Sequence, residues 1–121
     1  MAVICGALAR AGYWLLSLLR GSPLPALIAF LTLELRIEGA HSLKDKRQVV
    51  RSLKDRLRAR FNVAVAELEP SDLWQRATIG VVSISDSRDY LDGLMNHVER
   101  ASTRIANNAG ADVSDSYLEF M

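Results

Sequence analysis

Residues 27–61 read LIAFLTLELRIEGAHSLKDKRQVVRSLKDRLRARF, and a change of rhythm inside this stretch decides the fold. Leu27, Ala29, Leu31, Leu33, Leu35 and Ile37 alternate with Ile28, Phe30, Thr32, Glu34 and Arg36. That period of two marks a β-strand with one wholly apolar face. Gly39 ends it. Ser42 follows as an N-cap with Asp45 three residues on, a short-chain version of the capping box. Leu43, Val50, Leu53, Leu57 and Phe61 then recur at spacings of seven, three, four and four. The period has lengthened to that of an amphipathic α-helix of about five turns.

The same two rhythms repeat downstream. Residues 62–69 (NVAVAELE) alternate and are rich in β-branched side chains, and the Pro70-Ser71-Asp72 turn separates them from a second such run, Arg76 to Ser85. The two runs are expected to pair as an antiparallel hairpin. A second helix begins near Ser85 to Ser87 and carries Leu91, Leu94, Met95, Val98, Ala101 and Ile105 on one face. It stops around Asn107-Asn108-Ala109-Gly110, a left-handed type of ending. Asp112 to Met121, with Val113, Tyr117, Leu118 and Phe120, reads as a last strand. The order β-α-β-β-α-β predicts an α+β fold, the ferredoxin-like split βαβ arrangement: a four-stranded antiparallel sheet with two helices on one face.

At 121 residues the chain has length for one domain, assigned to residues 27–121. Residues 1–26 are apolar, with two Arg and no acid, and end in a Gly-Ser-Pro-Leu-Pro stretch that reads as a linker. Within residues 1–26 no uncharged run, Ala11 to Leu19 included, exceeds nine residues, far short of the roughly 20 a membrane span needs, so a membrane location is not expected. A secretory signal fits poorly, because no Lys or Arg but Arg10 precedes the apolar run and Ser22-Pro23 suits no small-residue cleavage site. A docking helix bearing Leu8, Leu15, Leu16 and Leu19 is a further reading. The preferred one is an extension outside the native domain, from a start codon placed too early. Removing residues 1–26 is therefore expected to leave the melting temperature unchanged. A fall of more than a few degrees, the scale of about 1 kcal/mol, would show that the extension packs on the sheet.

Half the residues are hydrophobic and 24% are charged, which excludes collagen-like and disordered classes. Cys5 is the only cysteine, so neither an internal disulfide nor a cysteine-based zinc cluster is available. The net charge of +1 hides a split: residues 1–60 hold eleven Lys/Arg against four Asp/Glu, and residues 61–121 hold four against ten. Eight of the cations fall between Lys44 and Arg60, opposed only by Asp45 and Asp55.

At 100° per residue, Lys44, Arg47, Arg51, Lys54 and Arg58 run along adjacent turns beside the apolar stripe of the first helix. One elongated positive surface results, suited to phosphates because Arg forks and long stems engage a nucleic-acid backbone without reading bases. The competing reading is a solvated face that balances the acidic second half, within the monomer or across a dimer. No catalytic constellation accompanies it. Ser83, Ser85 and Ser87 lack a nearby His or a Gly-x-Ser-x-Gly elbow, and there is no Gly-rich phosphate loop. His41 and His97 have no second ligand at metal spacing, and Asp86, Asp89 and Asp92 read as first-turn acids on a helix dipole. No enzyme activity, cofactor or metal is expected. Trp74 is read as capping a core edge, its indole N–H on a carbonyl. Phe30 and Tyr117 could lie on the open sheet face, but the run from Thr78 to Ser85 holds no aromatic where base-stacking RNA-recognition domains place theirs, so stacking there is disfavoured. The strands are apolar on both sides, Ile28 and Phe30 against the odd-numbered row and Thr78, Val82 and Ile84 against Ile79 and Val81, so a cover for that face is expected. A second subunit is the first candidate and the N-terminal extension the next.

Three segments, Gly39-Ala-His-Ser-Leu-Lys-Asp-Lys-Arg47, Arg60-Phe-Asn-Val-Ala-Val-Ala-Glu67 and Asp72-Leu-Trp-Gln-Arg-Ala77, together resemble the YlxP-like family of small bacterial proteins, a domain of unknown function. The resemblance runs from about Leu27 to Phe120. It implies the ferredoxin-like fold, a cytoplasmic setting and a link to translation, since such genes often neighbour those of initiation and ribosome-assembly factors. It implies no established activity and transfers no site residue. The function expected from these readings is a non-enzymatic module that binds ribosomal RNA or the ribosome through Lys44, Arg47, Arg51, Lys54 and Arg58. The alternative is a homo-oligomeric interaction protein that uses its open sheet face and has no nucleic-acid role.

Overall fold

Residues 27–36 form β1 (Leu27–Arg36), as their alternation requires, and every second residue from Ala29 to Leu35 is buried. A computed structural model describes residues 26–69 and 73–121. The first helix is α1 (Leu43–Arg60). Ser42 Oγ accepts the Asp45 N–H at 3.2 Å, and the Asp45 carboxylate accepts the His41 N–H at 3.1 Å. The short Asp side chain thus closes the capping box one residue earlier than a Glu would. The hairpin is β2 (Ala64–Leu68) with β3 (Arg76–Ser85), and α2 (Arg88–Asn108) and β4 (Asp112–Phe120) complete the chain.

Gly110, at φ +79°, stops α2. The Ala111 N–H reaches Ala106 O at 2.8 Å and the Gly110 N–H reaches Asn107 O at 3.3 Å. This pair of bonds is the Schellman ending that a left-handed glycine permits.

The sheet is antiparallel in the order β2-β3-β1-β4, so the two middle strands carry the densest part of the core. Leu31, Leu33, Ile79 and Val81 are buried from the sheet, Leu53 and Leu57 from α1, and Leu91, Met95 and Val98 from α2. Helix α1 packs on β2 and helix α2 on β1 and β4, which covers one face. The ferredoxin-like architecture read from the element order is the observed one.

Packing sets the environment of two residues, and for Trp74 it corrects the reading above. Lys46, one of the eight cations of the basic segment but not of the five-residue row, is buried, and it continues the core stripe through Val50, Leu53 and Leu57. A lysine tolerates such a position because its aliphatic stem packs like a hydrocarbon. Trp74 does not cap the core edge. It is half exposed in the turn before β3, while the core edge there is closed by the smaller Ala77.

Candidate nucleic-acid interface

Burial of Val50, Leu53 and Leu57 fixes the rotation of α1 about its own axis. The residues flanking that stripe must then lie along its sides. Arg47, Arg51, Lys54 and Arg58 line one shallow groove, with Val50 as its apolar base and Asp55 and Glu67 as its acids. Four of the five residues expected from the sequence therefore meet in one place. Lys44 lies outside the groove, one turn toward the N-terminus on the exposed surface.

The groove has one wall from α1 and one from β2. What joins them is Arg58, whose Nη2 donates to Val65 O at 2.7 Å on the outer edge of the sheet. This contact uses one of the five N–H donors of the guanidinium and leaves the others for a ligand. The remaining cations of the row are open: among the described residues none of Lys44, Arg47, Arg51 and Lys54 has a carboxylate within 4.0 Å, whereas Arg36 pairs with Glu38 at 3.8 Å elsewhere on the surface. Arg56 and Arg60 are also exposed but lie off the row, Arg60 resting over the Phe61 ring at 5.3 Å from its centroid. The role of Glu67 was not legible in the sequence, because only the β2–α1 packing brings a strand residue to a helical groove.

The face of the sheet away from the helices has a different character. Ile28, Phe30, Val82 and Ile84 occupy one end of it, and Ile84 is 63% exposed. At the other end Glu34 accepts the Thr78 hydroxyl at 2.9 Å and lies across from Asp115. Tyr117 donates its hydroxyl to Asp115 at 2.6 Å. That hydrogen bond and the negative charge of Asp115 hold the phenol above its ordinary value of 10.0, because losing the proton would leave a phenolate facing a carboxylate. Asp115→Asn is expected to lower the Tyr117 titration, followed by phenolate absorbance; an unchanged curve would place the cause elsewhere.

Among the described residues no group of three or more His, Cys, Asp and Glu is placed to hold a metal ion. No described helix is long and apolar enough to cross a membrane.

The fold is similar to that of a dimeric protein of unknown function and ferredoxin-like fold from Bacteroides fragilis, at 17% identity and a TM-score of 0.53 over 80% of this chain and 95% of the other. It is also similar to part of AtUAH, crystallised with glyoxylate, at 10% identity and a TM-score of 0.51. That match covers 77% of this chain but 27% of AtUAH. At these identities the likeness is one of fold alone. In sequence, the chain is 39% identical over 62 residues to the uncharacterized protein YlxP of Bacillus subtilis (strain 168), which is 51% of this chain and 67% of YlxP. Residues 28–117, almost the whole of the folded unit from β1 to β4, match the family described as "Protein of unknown function (DUF503)", and the chain belongs to that family.

Proposed function

We propose that this chain is a non-enzymatic, cytoplasmic RNA- or ribosome-associated module whose contact surface is the outer side of α1. The observation that carries the reading is the row Lys44, Arg47, Arg51, Lys54 and Arg58, of which the first four have no carboxylate within 4.0 Å among the described residues. Charge matching within the monomer would pair these groups with the acidic second half of the chain, and among the described residues no such pair is at ion-pair distance. An unneutralised row of cations at one per helical turn, about 5.4 Å apart, suits the regular spacing of backbone phosphates. The groove offers no aromatic platform among its lining residues, so backbone contact rather than base stacking is the chemistry it supports.

Filter retention of ribosomal RNA by the full chain tests this at about 50 mM salt, where counterion release makes the electrostatic term strong. Retention that falls steeply as salt is raised is expected. Background retention at that salt would end the RNA reading.

A further inference from the structure

We infer that the open face of the sheet is the interface between two copies of this chain, related by a two-fold axis running along the strands. This inference is independent of the RNA reading, because it uses the opposite side of the molecule from α1.

The face is a grid set by the strand register. Ile28 lies beside Ile84, Phe30 beside Val82, Thr32 beside Gly80, Glu34 beside Thr78, and Arg36 beside Arg76. On one flank β2 adds Ala64, Ala66 and Leu68; on the other β4 adds Glu119, Tyr117 and Asp115. The apolar part is continuous, because Gly80 has no side chain and Leu68 lies over it: a Cβ there would meet Leu68 Cδ1 at 3.0 Å. Ile84 at 63% exposure and Ile28 at 37% are too much apolar surface for an antiparallel sheet whose free face meets only water.

Charge selects the symmetry. An in-plane axis across the strands would lay the Ile28 and Ile84 end on the Arg36 and Arg76 end, sealing guanidinium groups under isoleucine. An axis along the strands brings Ile28 onto Ile84 and Phe30 onto Val82, and places the acidic β4 flank over the apolar β2 flank rather than over itself. The arginines then gather at the wet rim, one row from Glu34 and Asp115.

Area points the same way. Strands of 10, 5, 10 and 9 residues, at about 3.3 Å per residue and about 4.8 Å apart, give a face of about 540 Å². Two such faces sum to about 1,080 Å², just above the roughly 1,000 Å² an authentic interface needs. Only overlap of the whole face reaches that figure, which is what aligned sheet packing about 10 Å apart provides.

The test is sedimentation of the full chain from about 1 to 100 μM, the range that brackets a micromolar dissociation constant. The wild-type protein is expected to reach twice the chain mass and to stay there at about 1 M salt, which shortens the screening length to about 3 Å and leaves apolar contact intact. Ile84→Glu is expected to raise the dissociation constant more than about 30-fold, since symmetry seals two unpaired carboxylates in the interface. Thr32→Arg, at the centre of the face, gives the same loss by a second route should Ile84→Glu fail to fold. Tyr90→Glu, exposed on α2, is expected to leave the dimer intact. A single-chain mass at 100 μM overturns the inference, and so does a dimer that survives both face variants. A monomer whose melting temperature falls on Ile84→Glu overturns it too, since residues 1–25 of the same chain would then be the cover.

Discussion

Replacing Arg47, Arg51 and Lys54 together by Gln is expected to flatten the salt dependence of RNA binding by 2–3 in log–log slope, out of about 4 for the wild-type chain. Each phosphate neutralised by a cation releases condensed counterions and contributes roughly 0.7–0.9 to that slope, so five cations give about 4. Between about 50 and 200 mM salt the wild-type affinity should then drop about 250-fold and that of the triple variant only about 10-fold, starting from a weaker value. The loss should be uniform across RNA sequences, because the contacts are with the backbone. The fold is expected to survive: Arg47 and Arg51 are exposed and Lys54 is half-buried beside the stripe of Val50, Leu53 and Leu57, not within it. Filter binding as a function of salt, with far-UV circular dichroism as the control for folding, makes the measurement. Equal slopes for the two proteins would show that these three side chains touch no phosphate. Unaltered background retention with a shift in self-association would return the row to charge matching between subunits.

Leu53→Ala is expected to cost about 2–5 kcal/mol. Leu53 is 1% exposed at the middle of the α1 stripe and faces the sheet, so truncation removes transfer free energy and leaves a cavity that a rigid sheet cannot close by moving. Domains of this size lose about 4–8 °C of melting temperature per kcal/mol, which translates to a drop of at least about 8 °C. A stability of about 5–15 kcal/mol makes such a loss large enough to populate unfolded chains at physiological temperature. Chemical denaturation with an unchanged m-value would confirm that the effect is on the folded state. A loss below about 1 kcal/mol would mean that α1 is rotated from the phase described here, and the basic groove with it.

The two predictions share one dependency. The rotation of α1 is set by Val50, Leu53 and Leu57, and the same rotation places Arg47, Arg51, Lys54 and Arg58 together. Basic row and core are thus two consequences of one helical period, and this is why the row is legible in the sequence.

The elements themselves were legible because each has its own local cause. β1 alternates over ten residues, α1 and α2 begin at Ser42 and Ser87, and Gly110 ends α2 with the only positive φ among the described glycines. Local periodicity and caps act over one or two turns of chain, so a single sequence carries them. The four-stranded antiparallel sheet with two helices on one face, and the placing of Arg47, Arg51, Lys54 and Arg58 along one side of α1, followed from those elements with little added.

What the tertiary structure alone decided lies wherever two distant segments meet. Lys46 is one of eight cations in the basic segment, yet the packing of α1 on the sheet puts it in the core stripe. Trp74 looks like a core residue by size, and the turn before β3 leaves it outside. The bond from Arg58 to Val65 O and the presence of Glu67 in the groove depend on β2 lying beside α1, residues far apart in helical register. The cross-strand placement of Ile28 against Ile84 and of Glu34 against Thr78 depends on the β1–β3 register, and that of Glu34 against Asp115 on a β1–β4 register that skips Ser114 at a bulge. The physical reason is common to all of these. Secondary structure is fixed by interactions within a few residues, whereas the partner of a side chain is fixed by which surfaces exclude water together, and that choice is made by the whole domain at once.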